Sequence, residues 1–194
     1  PYALRGLAHF DLVNMYAQHS TFTADHRHPG NPIVLLSDVT SLPARNTVDE
    51  VYKQVVAGLS KGISMMTQTR DGPFMMTKQA AQAILSRVYL YMEDWNNAVA
   101  MADAVIASGK YSLLSGNGLI TMFADGGTAE AIFEIQMTTA DNRGSDSLGG
   151  MYRATGYGDY LPSKDLLNLM SPADKRWGWY KTDPLLAGIY ASHR

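Results

Sequence analysis

Apolar residues recur at helical spacing along three long stretches of the chain. The clearest is Thr77 to Gly109, where Ala80, Ala81, Ile84, Leu85 and Val88 mark one half and Ala98, Met101, Ala102, Val105 and Ile106 the other. That is the i, i+3, i+4, i+7 pattern of helices with one buried face. The polar break Glu93-Asp94-Trp95-Asn96 separates the halves, Asp94 is placed to cap the second helix, and Gly109 supplies a left-handed stop. A first helix is predicted from about Tyr2 to Gln18, with Leu4, Leu7, Ala8, Leu12 and Met15 as its buried stripe and Phe10 and Val13 beside it. Gly6 is expected to mark a close helix contact, and Arg5 and His9, four apart, fall on one side. Another helix begins at Asn46 or Thr47 and ends near Met66, buried along Val51, Val55, Leu59, Ile63 and Met66. Thr47 and Glu50 have the spacing of a capping box.

Between the first two helices lies a long irregular segment, His19 to Asn46, with Pro29, Gly30, Pro32, Pro43 and the short apolar run Ile33-Val34-Leu35-Leu36. It holds His19, Asp25, His26 and His28, whose imidazoles and carboxylate are competent metal ligands. There is no HExxH and no helical i, i+4 His pair to frame them, so a solvated polar loop is the expectation and no metal is assigned. Met65, Met66, Met75 and Met76 bracket the step into the second hairpin, where filling of irregular core gaps is expected over a binding groove.

Beyond Gly109 the pattern loosens. Residues Leu119 to Phe123 read as loop with apolar anchors, and Phe133, Ile135 and Met137 alternate as a short strand within Glu130–Met137. Met137 to Leu161 is the most loop-like stretch, with five glycines interleaved with Asn142, Arg143, Tyr152, Arg153, Tyr157 and Tyr160. No GxxxxGK[ST] occurs, which argues against a phosphate cradle. Flat, polar-tipped tyrosines beside amide and guanidinium groups suit sugars, so Tyr152, Tyr157, Tyr160, Asn142 and Arg153 are the candidate glycan contacts. A short helix is predicted over Pro162–Met170, capped by Ser163 with Leu166, Leu167 and Met170 inward. Asp174 and Arg176 are expected to form a structural salt bridge, with Trp177 and Trp179 buried by default.

The hairpin at Thr77–Gly109 has about the length of one tetratricopeptide (TPR) unit, ~34 residues. Ser86, Tyr89, Trp95, Ala98 and Ala102 stand where such a unit places small residues on facing helices and aromatics in the wedge between them. Five successive blocks then resemble the SusD/RagB family. They are Ala3–Ala17, Asn31–Leu35, Pro43–Ile63, Thr77–Leu113 and Glu130–Gln136, agreeing in order, spacing and wording and covering most of the chain up to Gln136.

The fold class expected is all-α, with TPR-like stacked helical hairpins, long irregular loops and one short strand. Residues 1–194 are read as one SusD-like domain fragment, 1–113 as helical hairpins with an insertion at 19–46, and 114–194 as a loop-rich ligand side. Pro1 opens directly on a helical pattern without an initiator Met, so the chain is read as an internal piece of a longer protein. The resemblance implies non-catalytic oligosaccharide binding at the outer-membrane surface. It also implies delivery to a TonB-dependent (SusC-like) transporter and attachment through an N-terminal lipid anchor that this chain does not contain.

Composition narrows the field further. Hydrophobic residues make up 46% and charged residues 18%, and the net charge is −2 with no basic run, which gives nucleic acid no electrostatic foothold. The chain has no cysteine, which removes disulfides and thiol catalysis. Glu130 and Glu134 are not a glycosidase pair by any spacing argument, no catalytic residue or cofactor is assigned, and a glycoside hydrolase ranks behind a protein-interaction TPR module as an alternative.

Overall fold

The computed structural model describes residues 1–38, 40–67, 72–152, 157, 162–171 and 173–177. Among them are seven α-helices: α1 (Tyr2–Tyr16), α2 (Val48–Met65), α3 (Lys78–Tyr91), α4 (Trp95–Ile106), α5 (Gly118–Asp125), α6 (Leu148–Tyr152) and α7 (Lys164–Asn168). The chain divides into two compact units, one of Pro1–Ser112 with Ala129–Glu134, the other of Leu113–Thr128 with Ile135–Arg194.

The first unit is a stack of two helical hairpins, α1 on α2 and α3 on α4, joined by packing of α2 on α3. Local sequence explains why α2 starts where it does. The Glu50 N–H donates to the Thr47 hydroxyl (3.3 Å) while Glu50 Oε2 accepts from the Thr47 N–H (3.0 Å). The other free donors of the first turn find carbonyls in the insertion, Val48 N–H to His28 (3.0 Å) and Asp49 N–H to His26 (3.0 Å). The Thr47 N–H and the Asn46 amide hold the Glu50 carboxyl below the ordinary glutamate range. A depressed folded value means this contribution is complete above the ordinary value of ~4.3 and is lost as pH falls through the lower folded one. Thr47→Ala is expected to cost about 1 kcal/mol at neutral pH. Glu50→Gln is expected to lose less stability than the parent between neutral pH and about pH 3 in denaturant titrations. Equal losses in parent and variant would remove Glu50 from the acid response.

The core of this unit is built from three helices. Phe10 and Val13 of α1, Val51, Tyr52, Val55 and Leu59 of α2, and Ala81, Leu85 and Val88 of α3 are all buried. Each large side chain of this kind contributes roughly 1.5–3 kcal/mol by leaving water. Phe10 meets Tyr52 and Tyr91 edge-on, with ring centroids 6.0 and 5.3 Å away. Burial, with the Tyr91 phenol nearby, pushes the Tyr52 phenol up to about 12, and its hydroxyl donates to Asn14 Oδ1 (3.3 Å).

The buried face of α1 differs from the expected stripe. Leu4, Leu12 and Met15 are exposed, as is Ala8, and the buried residues are Ala3, Gly6, His9, Phe10 and Val13. The reason is backbone proximity. A Cβ on Gly6 would lie 3.1 Å from Leu59 Cγ, one on Gly58 3.3 Å from the Tyr2 carbonyl, and one on Gly62 2.9 Å from the Ala3 Cβ. The helices cross on their small residues, so α1 turns that side to α2 and leaves Leu4 and Leu12 outside, while Leu7 packs at the edge of the core.

The second hairpin follows its pattern with two exceptions. Asp94 caps α4 by accepting from Asn97 N–H (3.3 Å), Ser86 Oγ donates across the helices to the Ala98 carbonyl (2.8 Å), and Gly109 has φ +63. Val105 and Ala98 are buried, but Ile106 is 75% exposed and Trp95 58% exposed, so neither fills the positions expected of them. Trp95 opens α4, where it meets solvent instead of the wedge between helices.

The insertion is largely exposed, as expected of a solvated loop, and its side chains organise it. His9 Nδ1–H donates to its own helix at the Arg5 carbonyl (2.9 Å), and Nε2 accepts from the Val34 N–H (3.1 Å). Arg5 Nη1 donates to the Leu35 carbonyl (2.8 Å), so the two residues spaced four apart on α1 together hold the apolar run. His26 Nδ1 lies 2.6 Å from the Ser20 carbonyl and His28 Nδ1 2.9 Å from the Thr23 hydroxyl, while the Phe22 ring sits edge-on between His19 and His28. The Arg27 N–H and the Thr23 hydroxyl keep the Asp25 carboxyl below the usual carboxylate range. The Arg45 guanidinium closes the segment, donating to the carbonyls of Gly30 and Tyr16.

The remaining expectations fall after Gly109. Gly118–Asp125 is helical rather than loop, because Leu119, Ile120 and Met122 have helical spacing that a reading by anchors overlooks. No strand forms at Glu130–Met137. The Glu134 N–H donates to the Pro73 carbonyl (2.7 Å), but no ladder partner runs alongside among the described residues, and alternation without a partner does not make a strand. In α7 the Ser163 cap is present (Leu166 N–H to Oγ, 3.2 Å) and Leu167 is buried, while Leu166 is exposed. Asp174 and Arg176 pair at 2.6 Å, lowering the Asp174 carboxyl, and the half-buried Trp177 donates its Nε1–H to the Ser171 carbonyl (2.8 Å). Trp179 lies outside the described residues.

Candidate ligand site

The glycine- and tyrosine-rich loop of the second unit is a sequence of short turns, each closed by a side chain. Thr138 and Asp141 exchange backbone hydrogen bonds, Thr138 N–H to Asp141 O (3.0 Å) and Asp141 N–H to Thr138 O (3.2 Å). Asn142 follows and locks the turn. Its amide donates to the Thr138 and Thr139 carbonyls (2.8 and 2.9 Å), and its Oδ1 accepts from the Gly144 N–H (2.8 Å). Gly144 then takes φ +54, a conformation that a side chain at this position would strain, and starts a 3₁₀ turn over Gly144–Asp146.

Ser147 Oγ accepts from the Gly150 N–H (3.0 Å) at the start of α6, and Gly150 approaches Ser145 so closely that a Cβ there would collide with the Ser145 carbonyl oxygen. The Gly150 carbonyl accepts from the Tyr157 N–H (2.8 Å), and the Tyr157 hydroxyl donates to Asp146 Oδ1 (3.3 Å). These contacts bring Tyr157 back over the first part of the loop. Tyr152, at the end of α6, is 55% exposed and Tyr157 is 58% exposed.

Of the five candidate contacts, Tyr152 and Tyr157 thus lie exposed on a stiffened loop, and Asn142 uses both amide hydrogens on the turn itself. Arg153 and Tyr160 lie outside the described residues. Asp146 was not among the candidates. Its tie to Tyr157 spans eleven residues, and only the folded turn reveals it. Ring faces that stay in water while a backbone bond and a hydroxyl bond fix the ring have little rotamer freedom left to lose on binding.

The first unit has its own concavity, a cavity of about 510 Å³ where the start of α1, the end of α2 and the start of α3 meet, lined by Tyr2, Leu4, Met65, Met66, Met75 and Met76 among others. Met66 and Met76 pack on the core while Met65 and Met75 are exposed, so the methionines both fill gaps and line a surface.

A family model described as starch-binding and associating with the outer membrane, SusD-like_3, matches residues 1–90. The fold is similar to that of a SusD superfamily protein from Bacteroides thetaiotaomicron, at 29% identity and TM-score 0.76, over 91% of this chain and 40% of that one. A Bacteroides vulgatus protein is 30% identical with TM-score 0.79 over 91% of this chain and 41% of its own. A SusD-like carbohydrate binding protein from Bacteroides vulgatus is 25% identical with TM-score 0.66, over 78% of this chain and 32% of that one. The chain therefore spans less than half the length of these structures. A comparison with curated proteins found no match. The family model over residues 1–90, which span α1, α2 and most of α3, and the fold likeness along nine-tenths of the chain agree on the SusD-like family.

Proposed function

We propose that this protein binds oligosaccharide without cleaving it, at the surface of an outer membrane, and hands it to a TonB-dependent transporter. The observation that carries the reading is the pair of exposed rings, Tyr152 and Tyr157, presented on a loop of hydrogen-bonded turns in a member of a family whose model is described as starch-binding. Sugar rings stack apolar C–H faces on aromatic faces, and fixing those faces in advance lowers the ordering cost of binding. Arg153 and Tyr160 complete the proposed contact set, and Asn142 serves it by holding the turn. Membrane association in this reading comes from a lipid anchor. Among the described residues no helix is long and apolar enough to span a bilayer.

A protein-interaction module is the second reading. The uncovered apolar side chains of the helical unit favour it, Leu4, Leu12 and Met15 on α1 and Trp95, Val99 and Ile106 on α4. In the lead reading the same helical side faces the transporter.

A glycan array followed by calorimetry, on this chain and on the full-length protein, tests the sugar reading. Binding is expected, and Tyr152→Ala, Tyr157→Ala and Tyr160→Ala combined are expected to weaken it at least about a hundredfold, as loss of two stacking faces at roughly 1.5 kcal/mol each implies. Absence of binding to any oligosaccharide, or an unchanged affinity in the triple variant, would count against it. Co-purification of the lipidated full-length protein with a TonB-dependent transporter tests the second step, and recovery of the protein alone would remove that step.

A further inference from the structure

The loop that carries Tyr152 and Tyr157 also carries a charge pattern. Between Met137 and Tyr152 stand two carboxylates, Asp141 and Asp146, against one guanidinium, Arg143. Continuing to Leu161 adds one residue of each sign, Arg153 and Asp159, and leaves the excess negative. Asp146 is the carboxylate tied to a candidate ring: its Oδ1 accepts from the Tyr157 hydroxyl at 3.3 Å, while Oδ2 has no protein partner among the described residues.

We propose that Asp146 makes this site selective for neutral oligosaccharides over uronate-bearing or sulfated ones, an inference that rests on the sugar-binding reading of the loop. The chemistry is one of donors and acceptors. An ionised carboxylate only accepts, and a neutral sugar offers it vicinal hydroxyls that donate. The carboxylate stands at the hydroxyl edge of the Tyr157 ring, within reach of the hydroxyls of a pyranose stacked on that ring. A uronate or sulfate ester brings a second acceptor-only anion to the same rim, with nothing to donate and a like charge to oppose. Arg143, the described cation of the loop, stands between Asp141 and Asp146 in sequence, so the attraction it offers an anionic sugar is opposed from both sides.

Asp146→Asn separates charge from shape. The amide oxygen can still accept from the Tyr157 hydroxyl, so the ring stays in place, while the negative charge is gone and a donor is gained. The experiment is a calorimetric comparison on the full chain. It uses whichever neutral hexose oligosaccharide binds best on an array, and the same oligosaccharide with its C6 hydroxyls oxidised to carboxylates.

The parent protein is expected to bind the oxidised form about five- to tenfold more weakly, the effect of one like charge at ~4 Å in water-like screening. In Asp146→Asn the two forms are expected to bind within about twofold of each other, and added salt is expected to narrow the gap in the parent. Equal or tighter binding of the oxidised form by the parent overturns the selectivity and leaves sugar binding standing. An unchanged ratio in Asp146→Asn, with neutral binding retained, overturns the assignment to Asp146. No binding of any neutral or acidic oligosaccharide overturns the sugar reading and this inference together.

Discussion

Phe10→Ala is expected to destabilise the helical unit by about 4 kcal/mol, while Leu12→Ala, two residues away, is expected to cost less than about 1 kcal/mol. The hydropathy pattern of α1 alone expects the reverse, since Leu12 belongs to its leucine stripe and Phe10 sits beside it. Phe10 is 1% exposed and touches the rings of Tyr52 and Tyr91, whereas Leu12 is 42% exposed. Removing the phenyl ring leaves a void among residues on α1, α2 and α3, and helices held from several sides close such a void only in part. For a chain of this size about 4 kcal/mol corresponds to a fall in Tm of roughly 8–16 °C. Thermal and denaturant unfolding followed by circular dichroism reads both variants. Comparable losses for Phe10→Ala and Leu12→Ala would mean that the outer face of α1 is covered in solution.

Gly62→Val is the second large effect, expected at about 3 kcal/mol. Any Cβ at Gly62 arrives 2.9 Å from the Ala3 Cβ and 3.1 Å from the Ala3 nitrogen, both on α1. Backbone cannot rotate away as a side chain does, so α1 must move bodily and take Phe10 and Val13 with it. Gly62→Ala meets the same contact but gains helix propensity of about 1 kcal/mol, so its net cost is expected to be small. The distinguishing measurement is a double-mutant cycle with Ala3→Gly. That partner, by vacating the Cβ in the way, is expected to restore about 1 kcal/mol to Gly62→Ala beyond simple additivity. A coupling near zero would show that the helices separate freely here.

These two positions also show where sequence reading succeeds and where it stops. The start and the apolar stripe of α2 were legible because their signals are local: residues at helical spacing and a Thr-x-x-Glu start whose two hydrogen bonds lie within four residues. The second hairpin was legible for the same reason, through Asp94 and Gly109, apart from the exposed Trp95 and Ile106. On α1 the leucines outvoted the small residues. Burial there is decided by how near another backbone can come, and Gly6, Gly58 and Gly62 add nothing to a hydropathy pattern while deciding that distance.

The spacing of Arg5 and His9 was visible, but their partners, Leu35 and Val34, lie thirty and twenty-five residues away across an irregular segment. Phe133, Ile135 and Met137 alternate as a strand would, yet strand formation needs a neighbour that alternation cannot supply. In the candidate site, residue types pointed to Tyr152, Tyr157 and Asn142. What they could not show is that the Asn142 amide is consumed by its own turn, or that Asp146 stands beside a ring.

The insertion between α1 and α2 is pinched shut where it leaves the hairpin. Gly30 N–H bonds to the Asn46 carbonyl at 2.7 Å, Asn46 N–H to the Asn31 carbonyl at 3.3 Å, and Pro29 bridges Thr47 in antiparallel fashion. Past that neck, Leu36 and Leu42 stand 82% and 98% exposed. A neck of this kind uncouples the length of what it encloses from the stability of what carries it, because doubling a closed loop adds only about 0.6 kcal/mol of closure entropy. The segment past the neck, around the exposed Leu36 and Leu42, is therefore a place on the helical unit where evolution, or an engineer grafting an epitope, can add or remove chain at little cost to folding.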